Sequence, residues 1–151
     1  MNTNTKKILA TITPEQWAAI AEYANENVIA EKSISTTDYR RNIYLKVTNI
    51  MKEIGLPANI KGYHYFRAAV VLVYEDRSYV DSITKKLYPK IAKDFDTTPT
   101  RVERAIRHAI EHVCSVGDID VIDKYFTYSA SSGKPTNSEA IAGLAEYLKI
   151  H

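Results

Sequence analysis

From residue 13 onward, apolar residues recur every three or four positions between recognisable helix starts and stops. Thr13-Pro14-Glu15-Gln16 is the first start. A threonine caps, proline fits the first turn where no N–H is needed, and the glutamine reaches back to the cap. Trp17, Ile20, Ala24 and Val28 then share one helical face. Ser33 to Thr37 is polar and β-branched, which predicts a linker, with Asp38 capping a second helix. Its stripe is Ile43, Val47, Ile50, Met51 and Ile54, stopped by Gly55-Leu56-Pro57. A third helix follows Gly62, with Phe66, Ala69, Val70 and Val73 inward. The next stripe is Ile83, Leu87, Ile91, Ala92 and Phe95, where Pro89 requires a start near Leu87 or a bend. Thr98-Pro99 opens a helix with Val102, Ile106, Ala109, Ile110 and Val113 inward, ending at Gly117. Asp118 caps a short helix through Ile119, Ile122 and Phe126, and Thr127 to Pro135 reads as a loop. Thr136-Asn137-Ser138-Glu139 is a second capping box, opening a last helix with Ile141, Leu144, Ala145 and Leu148 inward. No strand pair is convincing. The expected fold is all-α, a helical bundle with an extra N-terminal helix.

A chain of 151 residues can hide a sizeable core without staples. Its longest apolar run, Ala68 to Val73, is far short of the ~20 residues a membrane span needs. The first seven residues lead into no apolar h-region of the length a signal needs, so a secretory signal is not expected. The single cysteine, Cys114, cannot form an internal disulfide and reads as a small core hydrophobe. A reducing cytoplasm is its natural setting.

Net charge is only +2, but it is unevenly placed. Residues 1–44 balance five basic against five acidic side chains. From Thr84 to His108, seven basic residues face three acidic ones. Such a patch on a neutral body suits a localised polyanion, or an ordinary solvated helix face. The helices flanking Asp96-Thr97 form a helix-turn-helix pattern. On the second, Arg101, Arg104, Arg107, His108 and Glu111 fall three and four apart, opposite the apolar stripe. Arginine suits bidentate contact with guanine O6 and N7, and Glu103 could accept from cytosine N4. Lys85, Lys86, Lys90 and Lys93 on the preceding helix suit phosphates.

A rival motif shares the same helix. His108, Glu111 and His112 fit the inverted zinc-protease spacing H-x-x-E-H. A catalytic zinc needs a third protein ligand, for which only Glu139 and Glu146 lie well downstream. No metal and no other cofactor is expected. Gly-rich phosphate loops and G-x-S-x-G elbows are absent from the sequence, and an enzyme is not the expected reading.

Six blocks carry a family resemblance: residues 54–58 (Ile-Gly-Leu-Pro-Ala), 60–63, 82–85, 87–89 with 91–93, Arg101 to Glu111, and Lys134 to Glu139. Together they closely resemble the DNA-binding effector domain of the sporulation stage-zero master response regulator of endospore-forming Firmicutes. The resemblance spans Val47 to Ile150 in unbroken order. It implies a six-helix bundle whose recognition helix corresponds to Pro99 to Ser115. It implies base reading by Glu103, Arg104 and Arg107 in a short G·C-containing box. It also implies backbone or adjacent contacts from Arg101, His108, Thr98, Thr100, Lys134, Asn137 and Ser138, beside the four lysines. Double-stranded DNA is the implied partner and the cytoplasmic nucleoid the implied location. Tandem binding on adjacent boxes implies contact between two domains, hence a homodimer. The RNA polymerase sigma subunit is the partner implied for the 117–130 segment, which here diverges and shortens before Lys134.

The family carries a phosphoacceptor receiver domain of about 120 residues, an ordinary domain size, ahead of its effector. Residues 1–44 are too few for one, contain a single aspartate, Asp38, and show no strand–helix alternation. The expected division is a helical extension over 1–44 and the DNA-binding domain over 45–151. A fragment is not expected, because the extension starts at Met1 and has its own capping box. Either it extends the bundle or its Trp17/Ile20/Ala24/Val28 stripe makes a dimer contact. The expected function is a sequence-specific transcription regulator not switched by phosphorylation of this chain. The competing reading is an interaction protein that pairs with or antagonises the full-length regulator.

Overall fold

The computed structural model describes residues 12–126 and 133–151, and the side chains of all of these except 27–34. Among the described residues there are helices and no strand. The chain divides into two compact units, Met1–Arg41 and Asn42–His151.

Helix α1 (Pro14–Glu53) contributes to both. It opens with the expected reciprocal box: the Gln16 N–H donates to Thr13 Oγ1 at 3.3 Å, and the Thr13 N–H to Gln16 Oε1 at 2.9 Å. The expected linker at residues 33–37 is instead helical, and Asp38 lies inside the helix rather than at a cap. The physical reason is that the stretch holds no Gly or Pro. Serine and β-branched residues cost well under about 1 kcal/mol each in a helix, whereas stopping and renucleating one costs more. In the first unit Trp17, Ile20 and Ala24 are all exposed, so the expected stripe is not a core face within this unit. Val28 falls among the side chains that are not described.

In the second unit the stripe Ile43, Val47, Ile50, Met51 and Ile54 is buried. Gly55, with φ of 77°, stops the helix, and the Leu56 N–H reaches back to the Met51 carbonyl at 2.9 Å. Helix α2 (Lys61–Glu75) follows and packs chiefly against α5 (Pro99–Val116) and α7 (Asn137–Ile150). Its Phe66, Ala69, Val70 and Val73 are buried as the periodicity implies. Gly62 lets α2 approach α5 backbone to backbone. A Cβ there would overlap the Ala105 carbonyl oxygen and lie 2.8 Å from Ala109 Cβ.

A short helix α3 (Ser78–Asp81), which the sequence reading passed over, leads into a π-helical turn at Ile83–Leu87 and then α4 (Tyr88–Asp94). Pro89 explains the widened turn: it has no N–H for the Lys85 carbonyl, and its ring crowds that oxygen. Wider bonds run from Leu87 N–H to Ser82 O at 3.3 Å and from Tyr88 N–H to Ile83 O. Phe95, expected inside, is 44% exposed and meets Tyr65 edge-on at 5.2 Å between ring centres. It follows the last residue of α4, where the chain already turns away from the core.

Helix α6 (Ile119–Tyr125) is capped by Asp118, whose side chain accepts from the Asp120 N–H at 2.9 Å. Ile122 and Phe126 are buried, but Ile119 is exposed and Tyr125 takes the inward place. Ile119, Ile122 and Tyr125 stand three positions apart on one face, which is buried at its middle and C-terminal end and exposed at Ile119. The expected loop from Thr127 falls outside the described residues as far as 132. Helix α7 opens on the expected box, Thr136 Oγ1 accepting from the Glu139 N–H at 3.2 Å and Glu139 Oε2 from the Thr136 N–H at 3.1 Å. Ile141, Leu144, Ala145 and Leu148 are buried.

Candidate nucleic-acid interface

The pair α4 and α5 is joined by a tight turn built on one unusual residue. Asp96 has φ of 51°, and the Thr97 N–H bonds back to the Ala92 carbonyl at 2.9 Å. Aspartate tolerates the left-handed region better than most non-glycine residues, so the turn closes in very few residues. Thr98 then caps α5, its Oγ1 accepting from the Arg101 N–H at 3.3 Å, with Pro99 in the first turn.

Helix α5 is sharply divided. Val102, Ile106, Ala109, Ile110 and Val113 are buried, while Arg101, Arg104, Arg107 and His108 are exposed. Among the described residues, Arg101 and Arg104 meet no carboxylate. Arg107 is different: its guanidinium pairs with the half-buried Glu103 one turn back. The two expected base readers therefore hold each other before any ligand arrives. Glu111 follows on the same face and binds Lys134 Nζ at 2.8 Å. That hydrogen bond, then the Lys134 charge, holds the Glu111 carboxyl below the ordinary carboxylate range, with Arg107 and His108 adding smaller contributions. This face thus carries two ion pairs, Glu103–Arg107 and Glu111–Lys134, beside Arg101 and Arg104.

The four lysines divide. Lys86 binds Asp76 at 3.3 Å, touches Ser78 Oγ, and stands over the Tyr79 ring at 4.3 Å. Lys90 grips both Asp94 oxygens at 2.8 Å. Lys85 and Lys93 are exposed with no carboxylate partner among the described residues. Thr100 and Ser138 are exposed at the first turns of α5 and α7. Asn137 stands apart from this set. It is buried, and its amide donates to Tyr88 Oη and the Glu103 backbone carbonyl, each at 3.0 Å. The sequence assigns Tyr88 no role of its own, since nothing in local spacing marks a hydroxyl that meets a residue 49 positions away.

The zinc-protease spacing gathers no third ligand. Among the described residues no three His, Cys, Asp or Glu side chains come together so as to hold a metal ion. Cys114 packs half-buried against the core, and burial raises its thiol pKa. No helix among the described residues is long and apolar enough to cross a membrane.

Over residues 47–148 the sequence matches the family described as "Sporulation initiation factor Spo0A C terminal". The chain belongs to this family. The matched segment covers about two-thirds of the chain: the last turns of α1 and all of α2 to α6, with α7 but for its end. It is a helical DNA-binding domain of sporulation regulators and not an enzyme family. The divided α5 belongs to this domain, while residues 1–46 lie outside the match.

Proposed function

We propose that this member is a sequence-specific transcription regulator that reads a short G·C-containing box through Glu103, Arg104 and Arg107. The observation that carries the reading is the exposed Arg101–Arg104–Arg107–His108 row opposite a fully buried stripe on the second helix of a helix-turn-helix. Arg104 is free for a guanine O6/N7 pair, and the Glu103–Arg107 couple offers an acceptor and a fork of donors to neighbouring bases. Arg101, His108, Lys85, Lys93, Thr98, Thr100 and Ser138 supply positioning contacts to phosphates, with Lys86, Lys90 and Lys134 doing so after exchanging their present partners. Arg104→Ala or Arg107→Ala is expected to weaken box binding by about 1–3 kcal/mol. Lys93→Ala is expected to weaken all duplexes alike and flatten the salt dependence. Equal losses on box and random DNA for the arginine variants would overturn the assignment.

The same reading holds that residues 1–44 are a helical extension, and that phosphorylation of this chain is not the switch. A small phosphodonor is expected to leave both mass and DNA affinity unchanged; a gain in both would overturn that. Exposed Trp17 and Ile20 support a homodimer contact through the extension. Such a pair would raise affinity on adjacent boxes through effective concentration. Removing residues 1–36 is then expected to reduce binding to paired boxes more than to a single box; equal losses would count against the dimer. The sigma subunit remains the proposed partner of segment 117–130. A reporter on a box-containing promoter separates activation through that contact from antagonism of a full-length regulator.

A further inference from the structure

Among the described residues, and leaving tyrosines aside, Asn137 is the one buried polar or charged side chain, 9% exposed. A buried amide is tolerated when its hydrogen-bonding groups are used. Here both N–H bonds have an acceptor: Tyr88 Oη at 3.0 Å and the Glu103 carbonyl oxygen at 3.0 Å. No buried side-chain nitrogen or oxygen among the described residues is left without a partner.

The three residues lie on three different helices. Tyr88 is the first residue of α4, where the π-helical turn ends. Asn137 is the first residue of α7, held in place by the Thr136–Glu139 box beside it. Glu103 is on α5, and its side chain carries Arg107. The bond to the Glu103 carbonyl therefore fixes the backbone of the very residue that orients a base-reading arginine. An amide plane can donate twice only along two fixed directions, so the contact specifies rotation and translation of α5 as well as proximity. Apolar packing alone is less particular, since aliphatic side chains tolerate small slides.

We propose that Asn137 is a positioning residue for sequence recognition: it locks α5 against α4 and α7 so that Glu103 and Arg107 meet base edges in one geometry. This rests on the reading of α5 as the base-reading helix. It replaces the expectation of a direct DNA contact by Asn137, whose amide hydrogens are already engaged.

The test uses the full chain and a duplex enriched from a random pool by the wild-type protein, with a scrambled duplex of the same composition. Asn137→Ala is expected to lower affinity for the enriched duplex by about tenfold, the scale of losing a buried hydrogen-bonded pair. Affinity for the scrambled duplex and the salt slope are expected to hold within about twofold, because phosphate contacts are kept. Tyr88→Phe, which removes one acceptor and leaves the Glu103 arm, is expected to give a smaller loss of the same selective kind. It serves as the variant of choice should Asn137→Ala fold poorly by circular dichroism. The double variant is expected to lose no more than Asn137→Ala alone, since both changes cut one network. Equal losses on both duplexes would make Asn137 a phosphate contact and overturn the proposal. Unchanged selectivity in a folded Tyr88→Phe and a folded Asn137→Ala would overturn it as well. Arg104→Ala is the separate control: if that variant keeps full selectivity, the base-reading assignment of α5 is what has failed.

Discussion

Helix α5 and the first half of α1 begin alike and end up in opposite environments. Each opens on Thr-Pro, and in each the threonine hydroxyl accepts from an N–H three residues on at 3.3 Å. Each then carries apolar residues at helical spacing. Yet Val102, Ile106, Ala109, Ile110 and Val113 of α5 are buried, whereas Trp17 and Ile20 of α1 remain 46% and 48% exposed. Caps and period decide that a segment is helical. What it buries depends on how completely its two faces are divided. In α5 five aliphatic or alanine positions stand against three arginines and a histidine. Around Trp17 the neighbours Ala18, Ala19 and Ala21 blur the boundary, so a stripe can be drawn without being a strong driving force.

Substitution of one isoleucine in each stripe is the sharpest way to break this contrast. Ile106 is fully buried, so Ile106→Ala is expected to cost about 2–5 kcal/mol of unfolding free energy. Ile20→Ala is expected to stay within about 0.5 kcal/mol, as for exposed sites generally. Urea denaturation followed by circular dichroism measures both. A cost above about 2 kcal/mol at Ile20 would mean that the first stripe is part of a cooperative core.

The next effect concerns how α5 is seated. Gly62→Ala is expected to cost about 1–3 kcal/mol, because its methyl group meets the backbone of Ala105, which cannot rotate aside. Since α5 must move to relieve the overlap, DNA affinity is expected to fall as well, a loss that electrophoretic titration detects. Stability and affinity both unchanged would show that α2 gives way instead.

The two matching caps give a smaller and cleaner comparison. Thr98→Ala is expected to cost about 1 kcal/mol globally, because α5 unfolds with the core. Thr13→Ala removes the same bond from an exposed end, where it is expected to promote local fraying with little change in the denaturation midpoint. Amide hydrogen exchange at residues 15–18 distinguishes fraying from an intact end. A global loss for Thr13→Ala as large as that for Thr98→Ala would erase the distinction between the two helices.

Much of the second unit was legible because its signals are local. The Gly55 stop, the Thr98 and Asp118 caps, the Thr136 box and the α5 stripe all lie within a few residues of what they control. The linker expected at Ser33–Thr37 does not form because weak helix formers are not breakers, and the stretch holds neither Gly nor Pro. The exposed Phe95 and Ile119 were misplaced for another reason: at a helix end, spacing no longer determines which side faces the core. At the candidate interface, the arginine row was readable from period. The Glu103–Arg107 pairing was available from its four-residue spacing but not singled out. The Asn137–Tyr88–Glu103 junction joins residues 49 and 34 positions apart, and no local pattern encodes it.

The smallest expected effect lies at the other end of α1, which belongs to the second unit. Glu53 accepts a hydrogen bond from the Tyr125 hydroxyl and pairs with Lys124 Nζ at 3.3 Å. The Tyr125 bond, more than the lysine, holds the Glu53 carboxyl below its ordinary value of 4.5. Burial first, then the facing carboxylate, raises Tyr125 above its ordinary value of 10.0. The signs are opposite in their consequences for stability. A depressed carboxyl contributes stability that is complete above its unfolded pKa and is lost as pH falls through the folded one. A raised phenol contributes stability that is complete below its unfolded pKa and is lost as pH rises toward the folded one. The pair is therefore expected to support the fold between about pH 4.5 and pH 10, with a decline on each side. Glu53 is largely solvated, so the acid limb is expected to be shallow and to shrink further in high salt. Tyr125→Phe keeps the ring against Tyr147, whose centre lies 4.7 Å away, and removes only the hydroxyl. In that variant the acid limb is expected to flatten, because Lys124 alone shifts Glu53 less. The alkaline limb is expected to lose the Tyr125 share and keep that of Tyr88, which burial also raises. Melting temperatures of both proteins across the range measure this; curves that stay parallel from acid to alkali would show that the hydroxyl–carboxylate bond adds nothing to the anchoring of α1.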